Sequence, residues 1–310
     1  MPNRPSKAQT RAQTRPNSTS NEPPEVVDPR WILKALGVVI ALALVCAYLA
    51  VCGLFSYGQW QLVLQPSRTV AKTPSDVGLT STEVRFGVDA SGQPQLDGWW
   101  IPGDSPAYPT VLILHSGQGS LSDALPDARL LHDAQLNVLL FDYRGFGRSG
   151  GQHPTQAWME DDAESALHYI NDTRSVPDSS VIAYGSGAGA ALAAKLCTEH
   201  KDIAGIILQN PDGDFEARVR QDSRSRMVPV GLLFHERFPL ADRLHTLATP
   251  KLVITSADGK AALDPHQIAD PKMTVELPPG QNQAALHEAI RRFLDTYLKP
   301  STLPVKPYVP

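Results

Sequence analysis

The sequence predicts an α/β domain built on a mostly parallel sheet with helices on both faces, preceded by one transmembrane helix. Three observations point there. Short apolar runs alternate with stretches of helical periodicity through most of the chain, the pattern of a buried parallel sheet. The first two strand-like runs have no helix between them, so they form an antiparallel edge. Near the N-terminus, a charge-free apolar stretch is long enough to cross a bilayer.

The strands are predicted at Glu83–Val88, Asp97–Ile101, Thr110–His115, Asn137–Asp142, Val181–Tyr184, Ala204–Leu208, Lys251–Thr255 and Met273–Leu277. Helical spacing covers Leu121–Asp133, Gln156–Ile170, Ala188–His200 and Ala284–Leu298. Residues 210–248 interrupt the alternation and are expected to form a short cap. In such sheets ligands bind beyond the carboxyl ends of the strands, which is where chemistry is to be sought.

From Ala35 to Phe55 the chain reads ALGVVIALALVCAYLAVCGLF without a charge. As a helix it spans about 30 Å, the thickness of the hydrocarbon core. Trp31 precedes it; Tyr57 and Trp60 follow it, the residue types that settle at membrane interfaces. A transmembrane helix is therefore expected over 31–57. A cleaved signal peptide has a shorter apolar region and a shorter leader. A lipoprotein site is disfavoured because Val51 stands where a small residue is wanted before Cys52. Residues 1–30, rich in Pro, Ser, Thr and Asn without apolar periodicity, read as a disordered tail. Arg4, Lys7, Arg11, Arg15, Arg30 and Lys34 precede the helix, whereas Arg68 and Lys72 alone follow it closely. That bias puts the N-terminus in the cytoplasm and the large domain outside it. Residues 58–78 read as a tether, 79–299 as the globular domain and 300–310 as a Pro-rich tail.

Composition narrows the function. A net charge of -4, with no basic stripe, argues against nucleic acid as a partner. No glycine-rich loop ends in Lys-Ser or Lys-Thr, and no Cys/His cluster has zinc spacing, so neither a nucleotide cofactor nor a metal is expected. Of the three cysteines, Cys46 and Cys52 lie in the apolar run, and Cys197, on a helical pattern, reads as core.

Four stretches occur in a telling order: His115-Ser116-Gly117-Gln118-Gly119, Phe141-Asp142-Tyr143-Arg144-Gly145-Phe146-Gly147-Arg148-Ser149, Gly185-Ser186-Gly187-Ala188-Gly189, and Thr249-Pro250-Lys251-Leu252-Val253-Ile254. Over about residues 80–298 the chain resembles the serine-aminopeptidase-like α/β-hydrolases, in particular their membrane-anchored branch with a short cap. The resemblance implies an α/β-hydrolase fold and a catalytic Ser–His–Asp set at the strand ends.

That set is incomplete here. The resemblance puts the nucleophile at the centre of a G-x-S-x-G elbow between a strand and a helix. The outer glycines match, but the centre is Gly187, which has no oxygen to attack a carbonyl. Ser186, one residue early, is the alternative nucleophile; its bland role is bonding to local backbone. The acid position falls on Asp258, which an ordinary Asp-Gly turn explains equally well. The base position, after the last strand, falls on Gln281. An amide accepts no proton near neutral pH and cannot act as general base. His287, six residues on, is the alternative base, although a surface or helix-packing histidine is the simpler reading. Loss of nucleophile or base costs such a triad about a million-fold.

The oxyanion donors are backbone amides and survive side-chain changes. The resemblance puts them at Ala188 and near Ser116 and Gly117. A cleft for a small acyl, ester or anionic ligand is therefore expected to persist. Arg218, Arg220, Arg224 and Arg226 in the cap offer lipid headgroups or an acidic ligand a contact; with Glu216 and Asp222 interspersed, they read first as a salt-bridged face.

Overall fold

The computed structural model describes residues 29–256, 263–278 and 283–298. Helix α1 runs Pro29–Gly58 and buries no residue. It is long and apolar enough to cross a bilayer. The chain divides into two compact units, one ending at Ala50 and the other running from Val51 onward.

The second unit is built on an eight-stranded sheet. Its strands are β1 (Thr82–Val88), β2 (Pro94–Ile101), β3 (Thr110–Leu114), β4 (Asn137–Asp142), β5 (Val181–Gly187), β6 (Gly205–Pro211), β7 (Lys251–Ser256) and β8 (Lys272–Leu277). In space the order is β8-β7-β6-β5-β3-β4-β2-β1. All pairs from β8 across to β4 are parallel, and β2 is antiparallel to both β4 and β1. The expected α/β-hydrolase fold, antiparallel edge included, is what the chain adopts.

Period-two alternation splits the core. Leu112, Leu114, Leu139 and Phe141 face one side, with Met159, Ala163 and the alanines of 190–194. Val111, Ile113, Val138 and Leu140 face the other, with Leu125, Leu131, Ile290 and Phe293. Helices α2 (Leu125–Asp133), α3 (Gln156–His168) and α4 (Gly189–Glu199) cover the sheet with a C-terminal helix. The Thr155 hydroxyl caps α3 by accepting from the Trp158 amide. The cap region holds three short helices, α5 (Glu216–Gln221), α6 (Val230–Leu233) and α7 (Ala241–Thr246), which bury Phe234, Phe238, Leu240 and Leu244. The C-terminal helix, α8 (Gln283–Tyr297), has the strongest amphipathic pattern in the domain and buries Leu286, Ile290, Phe293 and Leu294.

Element ends shift by a few residues from the sequence reading. One such shift is at β5, expected to stop at Tyr184. Its ladder with β6 continues through Gly185 opposite Leu208 and Ser186 opposite Gln209, and breaks register at Gly187. Glycine has no strand preference to advertise this; the neighbouring strand supplies the partners.

Residues 58–78 join helix to domain along the domain's surface. Gln59, Val63 and Leu64 are buried. Gln65–Pro66 pairs in parallel with Gln118–Gly119. The Gln65 amide donates to the Gly117 carbonyl at 2.9 Å, and the Ser67 amide to that of Gly119 at 2.7 Å. The Gln118 side chain donates to the Val63 carbonyl at 3.0 Å.

Candidate active site

The elbow is present and its tip is bare. Strand β5 turns into α4 through Gly187 at φ 52°. This is the left-handed region, where glycine costs nothing and other residues are strained. The two flanking glycines are required by close packing. A Cβ at Gly185 would lie 2.6 Å from the Gly189 carbonyl oxygen, and one at Gly189 would lie 2.7 Å from that of His115 and collide with that of Leu114.

The loop after β3 closes over the tip. A Cβ at Gly187 would stand 2.8 Å from Ser116 Cβ and 3.2 Å from the Ser116 carbonyl oxygen. The Ala188 amide, expected to hold a ligand oxygen, donates instead to that same carbonyl at 3.3 Å. The Gly187 carbonyl accepts from the Asp212 amide at 3.0 Å, tying the tip to the start of the cap. Beneath the loop, a Cβ at Gly117 would meet Leu64 Cδ2 at 2.7 Å. So Ser116, Gly117 and Ala188 do come together, but in this structure Ala188 bonds to Ser116, and Gly117 bonds to Gln65. A ligand oxygen reaching Ala188 has to displace the Ser116 carbonyl.

The remaining sequence candidates separate. Ser186 is half-buried and has no hydrogen bond to a described side chain. His287 is buried in the face of α8 that packs on the sheet rather than exposed to solvent. Asp258 and Gln281 lie outside the described residues.

Behind the loop is a buried pair, His115 and Asp142, drawn from two of the stretches that carry the resemblance. His115 Nε2 lies 3.6 Å from Asp142 Oδ1, with both side chains almost wholly inaccessible. Asp142 Oδ1 also accepts from the Leu121 amide at 2.7 Å, and His115 packs on Tyr143 with ring centroids 4.4 Å apart. Burial pushes the imidazole down to about 3. Burial also pushes the carboxyl up to about 8; the Leu121 amide opposes that shift and the nearby Asp97 adds to it. The pair is thus held uncharged near neutral pH.

The two groups have opposite pH signatures. Unfolded His115 gains a proton below about 6.5 that the folded ring refuses, so stability is lost as pH falls from there. Unfolded Asp142 releases its proton above about 4 while the folded carboxyl keeps it until about 8. That contribution is fully present below about 4 and is lost as pH rises to the folded value. The two slopes oppose each other up to about 6.5; beyond it Asp142 acts alone. Chemical unfolding at stepped pH is expected to show stability falling by on the order of 2 kcal/mol between the histidine and carboxyl limits. Asp142→Asn, which keeps an acceptor for Leu121, is expected to flatten that fall. An unchanged slope in the variant would remove Asp142 from the account.

Comparison with known proteins bears on the family and the fold. The family model for serine aminopeptidase, S33, matches residues 105–275, more than half of the chain. The chain belongs to that family. A protein of Mycobacterium tuberculosis described as uncharacterized is 29% identical, over 84% of this chain and 95% of its own length. Protein bem46 of Schizosaccharomyces pombe is 29% identical over 47% of this chain and 49% of its own. Among solved structures, the Pyrococcus furiosus esterase Pf2001 superposes with a TM-score of 0.59 at 20% identity, covering 76% of this chain and 98% of its own. At that identity the likeness concerns the fold.

In this S33 member three of the four arginines named in the cap are engaged, and exposed Arg226 has no ion pair among the described residues. Arg218 donates to both Asp212 oxygens at 2.6 and 2.7 Å, Arg220 pairs with Glu216, and Arg224 with Asp222. These are exposed pairs, each worth little for stability, and they match the salt-bridged reading of this segment.

Sequence reading missed two features. One is the run Gln59–Pro66, whose polar and apolar residues follow no period; its partners lie some fifty residues away. The other is a polar cluster of Asp127, Tyr184 and Gln209, where α2 meets the interior strands β5 and β6. The Tyr184 hydroxyl donates to Gln209 Oε1, and both side chains adjoin the Asp127 carboxyl. No motif links these three; a helix and two strands bring them together.

Proposed function

We propose that this protein is a membrane-anchored α/β-hydrolase-fold protein that does not hydrolyse through a Ser–His–Asp triad and acts by binding a small ligand or a protein partner. One observation carries the reading: the elbow tip is Gly187, with the Ser116 loop against it where a side chain would go. The amide at the base position, Gln281, supports it from the sequence. Helix α1 is the anchor, and the excess of Arg and Lys before it favours a cytoplasmic N-terminus with the domain on the other side.

The test is active-site labelling. Full-length protein in membranes is expected to resist a fluorophosphonate probe and to turn over no p-nitrophenyl ester beyond the background rate. Labelling at Ser186, with turnover lost in Ser186→Ala, would establish a working hydrolase with a displaced nucleophile and end this proposal. Protease added to sealed, right-side-out cells is expected to remove the domain; complete protection would reverse the orientation.

A further inference from the structure

We infer that a second pocket, where β6, β7 and β8 end against α2 and α8, takes a small organic ammonium with the Asp127 carboxylate as its counter-ion. The inference rests on the binding reading above only in that binding, and not turnover, is its function. It places that function beside the elbow rather than over it.

The cavity is lined by Asp127, Leu130, Gln209, Asn210, Ser256 and Leu286, among others, and measures ≈ 140 Å³. A dry cavity of roughly that size holds a benzene ring, so a short alkyl chain with one polar head fits. Leu130 and Leu286 supply apolar wall, and Asp127 and Gln209 supply the polar end. The polar end is fixed from behind. Tyr184 is fully buried, and its hydroxyl donates to Gln209 Oε1. The Asn210 side chain is held by the Ser256 amide, which donates to its Oδ1 at 2.8 Å.

The charge balance points to a cation. Two of the domain's buried carboxylates are held by arginine, Asp162 by Arg144 and Asp97 by Arg85 and Arg148, whereas Asp142 sits uncharged beside His115 and Glu236 accepts from the Gln156 amide. Half-buried Asp127 has no ion-pair partner among the described residues; the Tyr184 phenol and the Gln209 amide adjoin its carboxyl. Burial raises it to about 6, so at neutral pH it is ionised without a compensating positive charge. Asp127 lies in the first turn of α2, where a carboxylate is favoured. That accounts for an acidic residue there, but not for its place in a cavity wall backed by a buried tyrosine. A carboxylate in such a wall gains most from a ligand that carries the missing charge.

The experiment is ligand-observed NMR on full-length protein in nanodiscs near neutral pH, with n-propylammonium, n-propanol and propionate as probes. The ammonium is expected to bind at least about tenfold more tightly than the alcohol, and propionate not at all, the step an ion pair of modest strength supplies. Asp127→Asn is expected to abolish that preference. Gln283→Trp, at an exposed position on the cavity wall, is expected to weaken all binding without disturbing the core, and it carries the test if the Asp127 variant does not fold. Equal binding of propanol and propylammonium, or ammonium binding untouched by both variants, would overturn the proposal. Fluorophosphonate labelling reports on the elbow alone, so failure of the functional reading and failure of this pocket are seen separately.

Discussion

Leu64→Ala is expected to cost the domain about 3 kcal/mol, within the range for emptying a fully buried leucine site. A chain beginning at Leu79 is expected to lose the cooperative transition that a chain beginning at Gly58 retains. Leu64 is wholly inaccessible and Val63 nearly so. Leu64 fills the space beneath Gly117, next to the loop that covers the elbow. Removing residues through 78 also takes away partners that the domain's backbone needs. The Gly117 and Gly119 carbonyls lose the amides of Gln65 and Ser67, and the Gly147 amide loses the Ser67 carbonyl, at 2.8 Å. The Arg68 guanidinium no longer donates to the Ser149 carbonyl at 2.6 Å. Each stranded buried group costs on the order of 1–3 kcal/mol, against a total stability of only about 5–15 kcal/mol. Urea unfolding of the two truncated chains decides the matter. Equal midpoints and slopes would mean that the segment lies on the domain without supporting it.

Gly189→Ala is expected to be the most damaging single methyl in the protein, costing about 4 kcal/mol or preventing folding. Its Cβ would be driven into the carbonyl oxygens of Leu114 and His115, which are backbone and have no rotamer to escape into. Those carbonyls close the end of β3, and β3 is flanked by β4 and β5. Relief therefore means moving the start of α4 off the sheet. Two controls make the result specific. Gly53→Ala, where nothing lies within 4 Å, leaves the domain's unfolding midpoint unchanged. Ala194→Gly, inside α4, costs about 1 kcal/mol from helix propensity and about 0.8 kcal/mol more for the buried methyl it removes. A Gly189→Ala protein as stable as the Gly53 variant would show that α4 sits more loosely than the packing of Gly185 and Gly189 implies.

These predictions divide between what local sequence encodes and what it does not. The strands were legible because a buried parallel strand needs a short apolar run and little else; Asn137–Asp142 was placed to the residue. The helices were legible from their 3.6-residue period, and the elbow from its paired glycines. That the elbow's central residue is Gly187 needed no structure either, because a missing hydroxyl is a property of a residue type. The ends of elements were less legible. Strand β5 runs on through Gly185 and Ser186 because β6 offers hydrogen bonds there.

The sequence alone thus determined the fold, the order of its strands along the chain, the apolar helix and the identity of the residue at the elbow tip, since each follows from composition or period within a few neighbouring residues. The tertiary structure alone decided that the Ala188 amide is taken by the Ser116 carbonyl, that Leu64 sits beneath that loop, and that Asp127 meets Tyr184 and Gln209 in a cavity wall. Those contacts join residues tens of positions apart, and their energies come from packing and desolvation, which depend on what the fold brings near and leave no periodic mark on the chain.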